Sequence, residues 1–63
     1  MNADEFKGKW LQLKGNIKTK WGELTDDDLA VIDGDRDKMV GKLQERYGYS
    51  IEEAEKEVNN VFD

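Results

Sequence analysis

Apolar residues return along the first third of the chain at Phe6, Trp10, Leu13, Ile17 and Trp21, in steps of four, three, four and four. At 3.6 residues per turn this spacing gathers them on one face, so it predicts a helix over residues 4–21. Asn2 or Asp4 can cap its start, and lysine stems can cover the edges of the stripe while their charges stay in water. Leu29 and Ile32, at i and i+3, predict a short second helix over 26–32, which Asp33-Gly34 stops. Met39, Leu43 and Tyr47, with Val40 beside them, predict a third over 35–47, ended by Gly48. A fourth runs from Ile51 to about Val61. Its inner face holds Ile51, Ala54, Val58 and Val61 or Phe62, and its outer face Glu52, Glu53, Lys56 and Glu57. No short apolar run alternates with period two, so a sheet is not expected.

The punctuation between these stripes repeats. In Trp21-Gly22-Glu23-Leu24-Thr25-Asp26-Asp27-Asp28-Leu29, Gly22 is expected to take the left-handed conformation that closes helices. Thr25 offers its side-chain oxygen to the next first turn, and the three aspartates complement the positive end of that helix. Thr25 and Asp28 have capping-box spacing, with Asp in place of the usual Glu. The same order returns in Tyr47-Gly48-Tyr49-Ser50-Ile51-Glu52-Glu53-Ala54, where Ser50 and Glu53 make a regular capping box. Glycines fall at 8, 15 and 22 and again at 34, 41 and 48, so an offset of 26 superposes the halves. Leu13 then meets Met39, Ile17 meets Leu43 and Trp21 meets Tyr47. Either chance spacing produces this echo, or the chain is two helical hairpins packed across one another around one core.

At 63 residues the chain is one domain, spanning 1–63, near the size where an apolar core barely offsets chain entropy. Its 37% hydrophobic and 40% charged residues fall between a globular domain and a solvated chain, and the periodicity places it on the folded side. Without cysteine there is no disulfide or thiolate metal site, and without histidine the usual general base and commonest transition-metal ligand are missing. No apolar run approaches the roughly 20 residues of a membrane span and no signal-peptide pattern begins the chain, so the expectation is a soluble cytoplasmic protein off the membrane. The net charge of −5 is uneven: residues 1–25 carry five lysines against three acids, and residues 26–63 five bases against twelve acids. The two halves can therefore complement each other within the fold.

Candidate chemistry is sparse. Gly8, Gly15 and Gly22 cluster on the side of the first helix opposite its apolar stripe, with Leu11, Gln12 and Thr19. This weakly charged strip, Gly8, Leu11, Gly15 and Thr19, is either a candidate interaction surface for another backbone or a set of tolerated solvent-facing positions. Asp33-Gly34-Asp35-Arg36-Asp37 alternates carboxylates as calcium loops do, but the sixth and twelfth loop positions are Lys38 and Gln44 rather than Gly and Glu. Ser50, Thr19, Thr25, Tyr47 and Tyr49 are the hydroxyl candidates, with no activating histidine or cysteine. A chain this short also leaves little room for a ligand pocket of roughly 300 Å³ or more, so neither catalysis nor a cofactor is expected. Lys7, Lys14 and Lys18 are candidate phosphate contacts, although Trp10 and Trp21 belong to the apolar stripe and the acidic second half repels nucleic acid.

Trp10, Gln12, Lys14-Gly15, Trp21-Gly22, Leu24 to Asp28, Gly34, Asp37, Gly41-Lys42, Gln44 to Tyr49 and Ala54 to Val58 together resemble the CsbD-like family of small bacterial stress proteins, specifically its YjbJ-type members. Thr19-Lys20 makes the end of the first helix more basic than that pattern, and Asn59 to Asp63 fall outside the resemblance. The resemblance implies an all-α bundle of two roughly orthogonal helical hairpins, SAM-like in arrangement. It also implies a cytoplasmic protein induced in the general stress response, and it brings no catalytic residue or cofactor. The expected function is non-catalytic protection through weak contacts by a monomer or weak homo-oligomer. The alternatives are a specific module for an unknown protein partner and a nucleic-acid binder using the first helix.

Overall fold

Four amphipathic stripes become four helices in the computed structural model, which describes residues 3–62. They are α1 (Ala3–Lys20), α2 (Asp26–Ile32), α3 (Arg36–Tyr47) and α4 (Ile51–Phe62), and no strand occurs among the described residues. Asn2, one expected cap of α1, lies outside the described residues. Asp4, the other, is inside the first turn, where its charge still complements the free amides.

The turns differ in how they stop the backbone. At Thr25 the box is reciprocal: Thr25 Oγ1 accepts the Asp28 N–H at 3.0 Å and Asp28 Oδ2 accepts the Thr25 N–H at 3.0 Å. Shortening Glu to Asp has thus not broken it. At Ser50 the hydroxyl oxygen accepts the Glu53 N–H at 3.1 Å, while the Ser50 hydroxyl donates to the Glu53 carboxylate at 3.2 Å. Asp33 caps α2 in the left-handed region, at φ 41° and ψ 45°, followed by Gly34 at φ 82°. Gly48 closes α3 in the same region, at φ 69°. Gly22 does not follow its counterpart. Neither it nor Glu23 has a positive φ, and the chain turns instead through a Leu24 N–H to Trp21 carbonyl bond of 3.0 Å. A tight i to i+3 turn needs no left-handed residue, and this corrects the expectation for Gly22.

The core joins all four elements. Phe6, Trp10, Ile17 and Trp21 from α1 meet Leu29 and Ile32 from α2, Met39, Val40 and Leu43 from α3, and Ala54 and Val58 from α4. Leu24, in the turn between α1 and α2, is also buried, a position that no helical period marks. Leu13, Tyr47, Tyr49 and Val61 pack around this cluster half-buried. The side chain of Phe62, the alternative to Val61, lies outside the described residues. Ile51 departs from its expected inward position and is 53% exposed. A helical wheel assigns it a face but cannot say whether another element reaches the first residue of α4.

α3 and α4 form the most extensive helix pair, α2 lies on α3, and α1 packs on α4 and α3. Ile17 and Leu43, which the 26-residue offset pairs, are both fully buried, but the backbones of the two halves differ. Gly8 is an exposed helical residue, whereas its counterpart Gly34 is buried in a turn. A Cβ at Gly34 would lie 3.3 Å from Lys7 Cγ and 3.4 Å from Lys7 Cα, in addition to the strain of its positive φ. Gly34→Ala is therefore expected to cost about 1–2 kcal/mol. Gly15→Ala meets nothing within 4 Å on a helical backbone, and is expected to add about 0.5–1 kcal/mol to stability. Opposite shifts of the urea midpoint check both.

Candidate functional site

Burying an aspartate requires that its charge and lone pairs find partners. Asp28 is 3% exposed, and its carboxylate receives three kinds of donor. The Thr25 N–H reaches Oδ2, the Arg46 guanidinium grips both oxygens through Nε at 2.9 Å and Nη2 at 3.0 Å, and Lys42 Nζ stands 3.4 Å from Oδ1. Two-point binding by a planar guanidinium is the stronger form of this contact. Arg46 first, then the Thr25 amide, hold the Asp28 carboxyl well below the usual carboxylate range, against the opposing effect of burial. Asp28 in turn raises the Arg46 pKa above its ordinary value. This cluster ties the first turn of α2 to the last two turns of α3. Beside it, the Tyr47 hydroxyl accepts the Glu23 N–H at 3.1 Å and anchors the α1–α2 turn to the end of α3.

Reading Asp26-Asp27-Asp28 as dipole-compensating charges, with Asp28 also the capping-box partner of Thr25, missed this cluster. Part of the signal was available, because Asp28 adjoins Leu29 and stands four residues before Ile32, on the inward face of α2. Nothing local identifies Arg46, eighteen residues away, as its partner.

The residues singled out on α1 do lie on its solvent side. Gly8, Leu11, Gly15 and Thr19 are exposed, Leu11 by 81%, and the space over Gly8 and Gly15 is open to 4 Å. Thr19 donates its hydroxyl to the Gly15 carbonyl at 3.1 Å, turning back on its own helix. The three lysines are not equivalent. Lys18 is bound to Asp26 at 2.6 Å, which lowers the Asp26 pKa, and the Lys7 stem lies against Gly34. Lys14 is exposed. Trp10 stacks on Phe6 at 5.9 Å inside the core, and Trp21 is covered by Lys20, whose Nζ stands 5.3 Å over its ring and 3.6 Å from Glu57. Neither indole is presented for base stacking, which nucleic-acid readers use. Lys18–Asp26 and Lys20–Glu57 also join the basic first half to the acidic second.

Where α1 passes over the α2–α3 turn, the surface folds into an open groove of about 610 Å³. Asp4, Lys7 and residues 32–38 line it. That exceeds the volume expected of so short a chain, and it is an open surface depression rather than an enclosed pocket. Two of its polar side chains are used within the fold: Asp35 Oδ1 accepts the Lys38 N–H at 3.2 Å and Arg36 donates to Asn59 of α4 at 2.9 Å. Among the described residues no three acidic side chains converge as a metal site would require. No helix there is long and apolar enough to cross a membrane.

The sequence profile of the CsbD-like family matches residues 4–56, from the first turn of α1 into α4. The chain belongs to the CsbD-like family. Its relatives include the UPF0337 protein YjbJ of Escherichia coli strain K12, 60% identical over 58 residues, covering 92% of this chain and 84% of that protein. The UPF0337 protein PA4738 of Pseudomonas aeruginosa is 60% identical over 63 residues, 100% of this chain and 97% of that protein. The UPF0337 protein ECA0631 of Pectobacterium atrosepticum is also 60% identical over 63 residues, 100% of this chain and 91% of that protein. The segment shared with the CsbD-like family contains both the Asp28–Arg46 cluster and the exposed strip of α1.

Proposed function

We propose that this CsbD-like protein is a non-catalytic component of the bacterial general stress response, acting in the cytoplasm through weak contacts of its charged surface with other macromolecules. The observation that supports this reading most is the use made of Asp28. A buried carboxylate with a strongly shifted pKa is where acid–base chemistry would be sought. Here its lone pairs are taken up by Thr25, Arg46 and Lys42, all of which hold helices together. The groups left to act on other molecules are the exposed ones, dominated by charge, and membership in the family agrees with a stress protein.

The test is aggregation of an unrelated enzyme during heating or drying, with and without this protein. Protection that rises smoothly with added protein, and that survives Asp28→Asn at a temperature where the variant is still folded, is the expected result. Protection restricted to one client at a fixed stoichiometry, or none beyond that of an equal mass of serum albumin, overturns the reading.

A further inference from the structure

Side chains two positions apart do not face one another on a helix, yet the rings of Tyr47 and Tyr49 stack, with centroids 5.4 Å apart and planes 14° from parallel. Gly48 brings them together. At φ 69° it turns the chain out of the helix between the last residue of α3 and the approach to α4. The Tyr47 oxygen accepts the Glu23 N–H at 3.1 Å, which holds one ring of the pair and leaves its own hydroxyl proton free of that bond. Other oxidisable side chains are sealed in the core: Met39, Trp10 and Trp21 are 0%, 4% and 2% exposed, and the chain contains no cysteine or histidine. Met1 lies outside the described residues. Both tyrosines are only half-buried, so among the described residues they are what an oxidant in water reaches first. We propose that Tyr47-Gly48-Tyr49 is a site of oxidative modification, where small one-electron oxidants couple the two stacked rings into dityrosine within one chain.

Each ring gives one electron to the oxidant and its phenolic proton to water, which leaves two phenoxyl radicals in contact. A carbon–carbon bond forms between the ring positions ortho to the oxygens, and the hydrogens displaced there pass to the oxygens and restore both phenols. The product is lighter by two hydrogens, lost as two protons, with two electrons accepted by the oxidant. Contact decides which radicals meet. A ring tethered through one residue is at an effective concentration on the order of millimolar, so at about 10 μM protein it exceeds a ring on another copy by roughly 100-fold. The new bond spans a turn and involves no fully buried side chain, so the helices stay in place. The site does not depend on the weak surface contacts proposed above.

Brief illumination of the full chain at about 10 μM with ruthenium tris-bipyridine and persulfate tests this, each persulfate taking up two electrons to become two sulfates. The expected result is dityrosine fluorescence from a single-chain product that has lost two hydrogens and keeps its helical circular dichroism. Trypsin cuts after Arg46 and Lys56, so the loss is expected in the peptide of residues 47–56, which then fails to fragment between its two tyrosines. Tyr49→Phe, which keeps the ring, is expected to retain the fold and to lose the single-chain product. In concentrated urea, where the stack is gone and the indoles are exposed, its yield is expected to fall at least threefold. Absence of dityrosine from the folded wild type, a predominance of two-chain products, or oxygen added to Trp10 or Trp21 before the tyrosines react overturns the proposal. An equal yield in urea overturns it as well, because the pairing would then owe nothing to the fold.

Discussion

Replacing Leu43 with alanine is expected to leave little folded protein at 25 °C. Leu43 is fully buried in α3, the helix that packs against each of the other three. Truncating such a leucine removes its transfer energy and leaves a cavity, together about 2–5 kcal/mol. At about 0.05–0.15 kcal/mol per residue, a chain of 63 residues has roughly 3–9 kcal/mol in all, and a domain this small lies toward the lower end. The loss therefore competes with the whole stability. Urea unfolding followed by tryptophan fluorescence reads this directly, because Trp10 and Trp21 are both buried and brighten or shift on exposure. Leu11→Ala makes the same chemical change at an 81% exposed position, and is expected to move the midpoint by no more than the equivalent of about 0.5 kcal/mol. Equal effects at the two positions would contradict the assignment of the core.

Asp28→Asn is the second large effect and the one with a pH signature. The amide keeps the shape and can still accept the Thr25 N–H, but it loses the charged fork with Arg46 and leaves Lys42 beside a neutral group. Its expected consequence at neutral pH is a fall in Tm of roughly 10 °C. The sign of the pH dependence follows from the direction of the shift. The Asp28 carboxyl is more acidic in the folded protein than its ordinary value of 3.8, so the unfolded chain binds the proton first as pH falls. The stability it contributes is complete above about pH 5 and is lost progressively below it, through 3.8 and beyond. Wild type is thus expected to lose Tm steeply on acidification, the variant more gently, and the difference between them to narrow toward about pH 2. Thermal melts at several pH values check this. Two parallel curves would show that the Asp28 charge contributes nothing specific to the fold.

The legible part of the architecture was the part governed by short-range periodicity. Steps of three and four placed Phe6, Trp10, Ile17 and Trp21 in the core, and the Thr25 and Asp33-Gly34 signals placed both ends of α2 at the right residues. The echo between halves matched buried positions such as Ile17 and Leu43. It misled at Gly22, because a shared residue type does not impose a shared turn. Ile51 was misassigned and Leu24 went unmarked for a related reason: burial at the end of a helix or inside a turn depends on which element lies opposite.

By itself, then, the sequence determined four helices, the caps at Thr25 and Gly48 and most of each inward face, since these depend on residues within a few positions of one another. Tertiary structure alone decided that one of three consecutive aspartates would be enclosed by Arg46 and Lys42, and that Lys18 would be bound to Asp26. It also decided that α1 would overhang the α2–α3 turn to form a groove. Those outcomes depend on which helix surfaces come together across long stretches of chain. A local pattern sets which side of a helix is apolar, whereas the energy of an ion pair is set by distance and by the exclusion of water, and both exist only once the helices have packed.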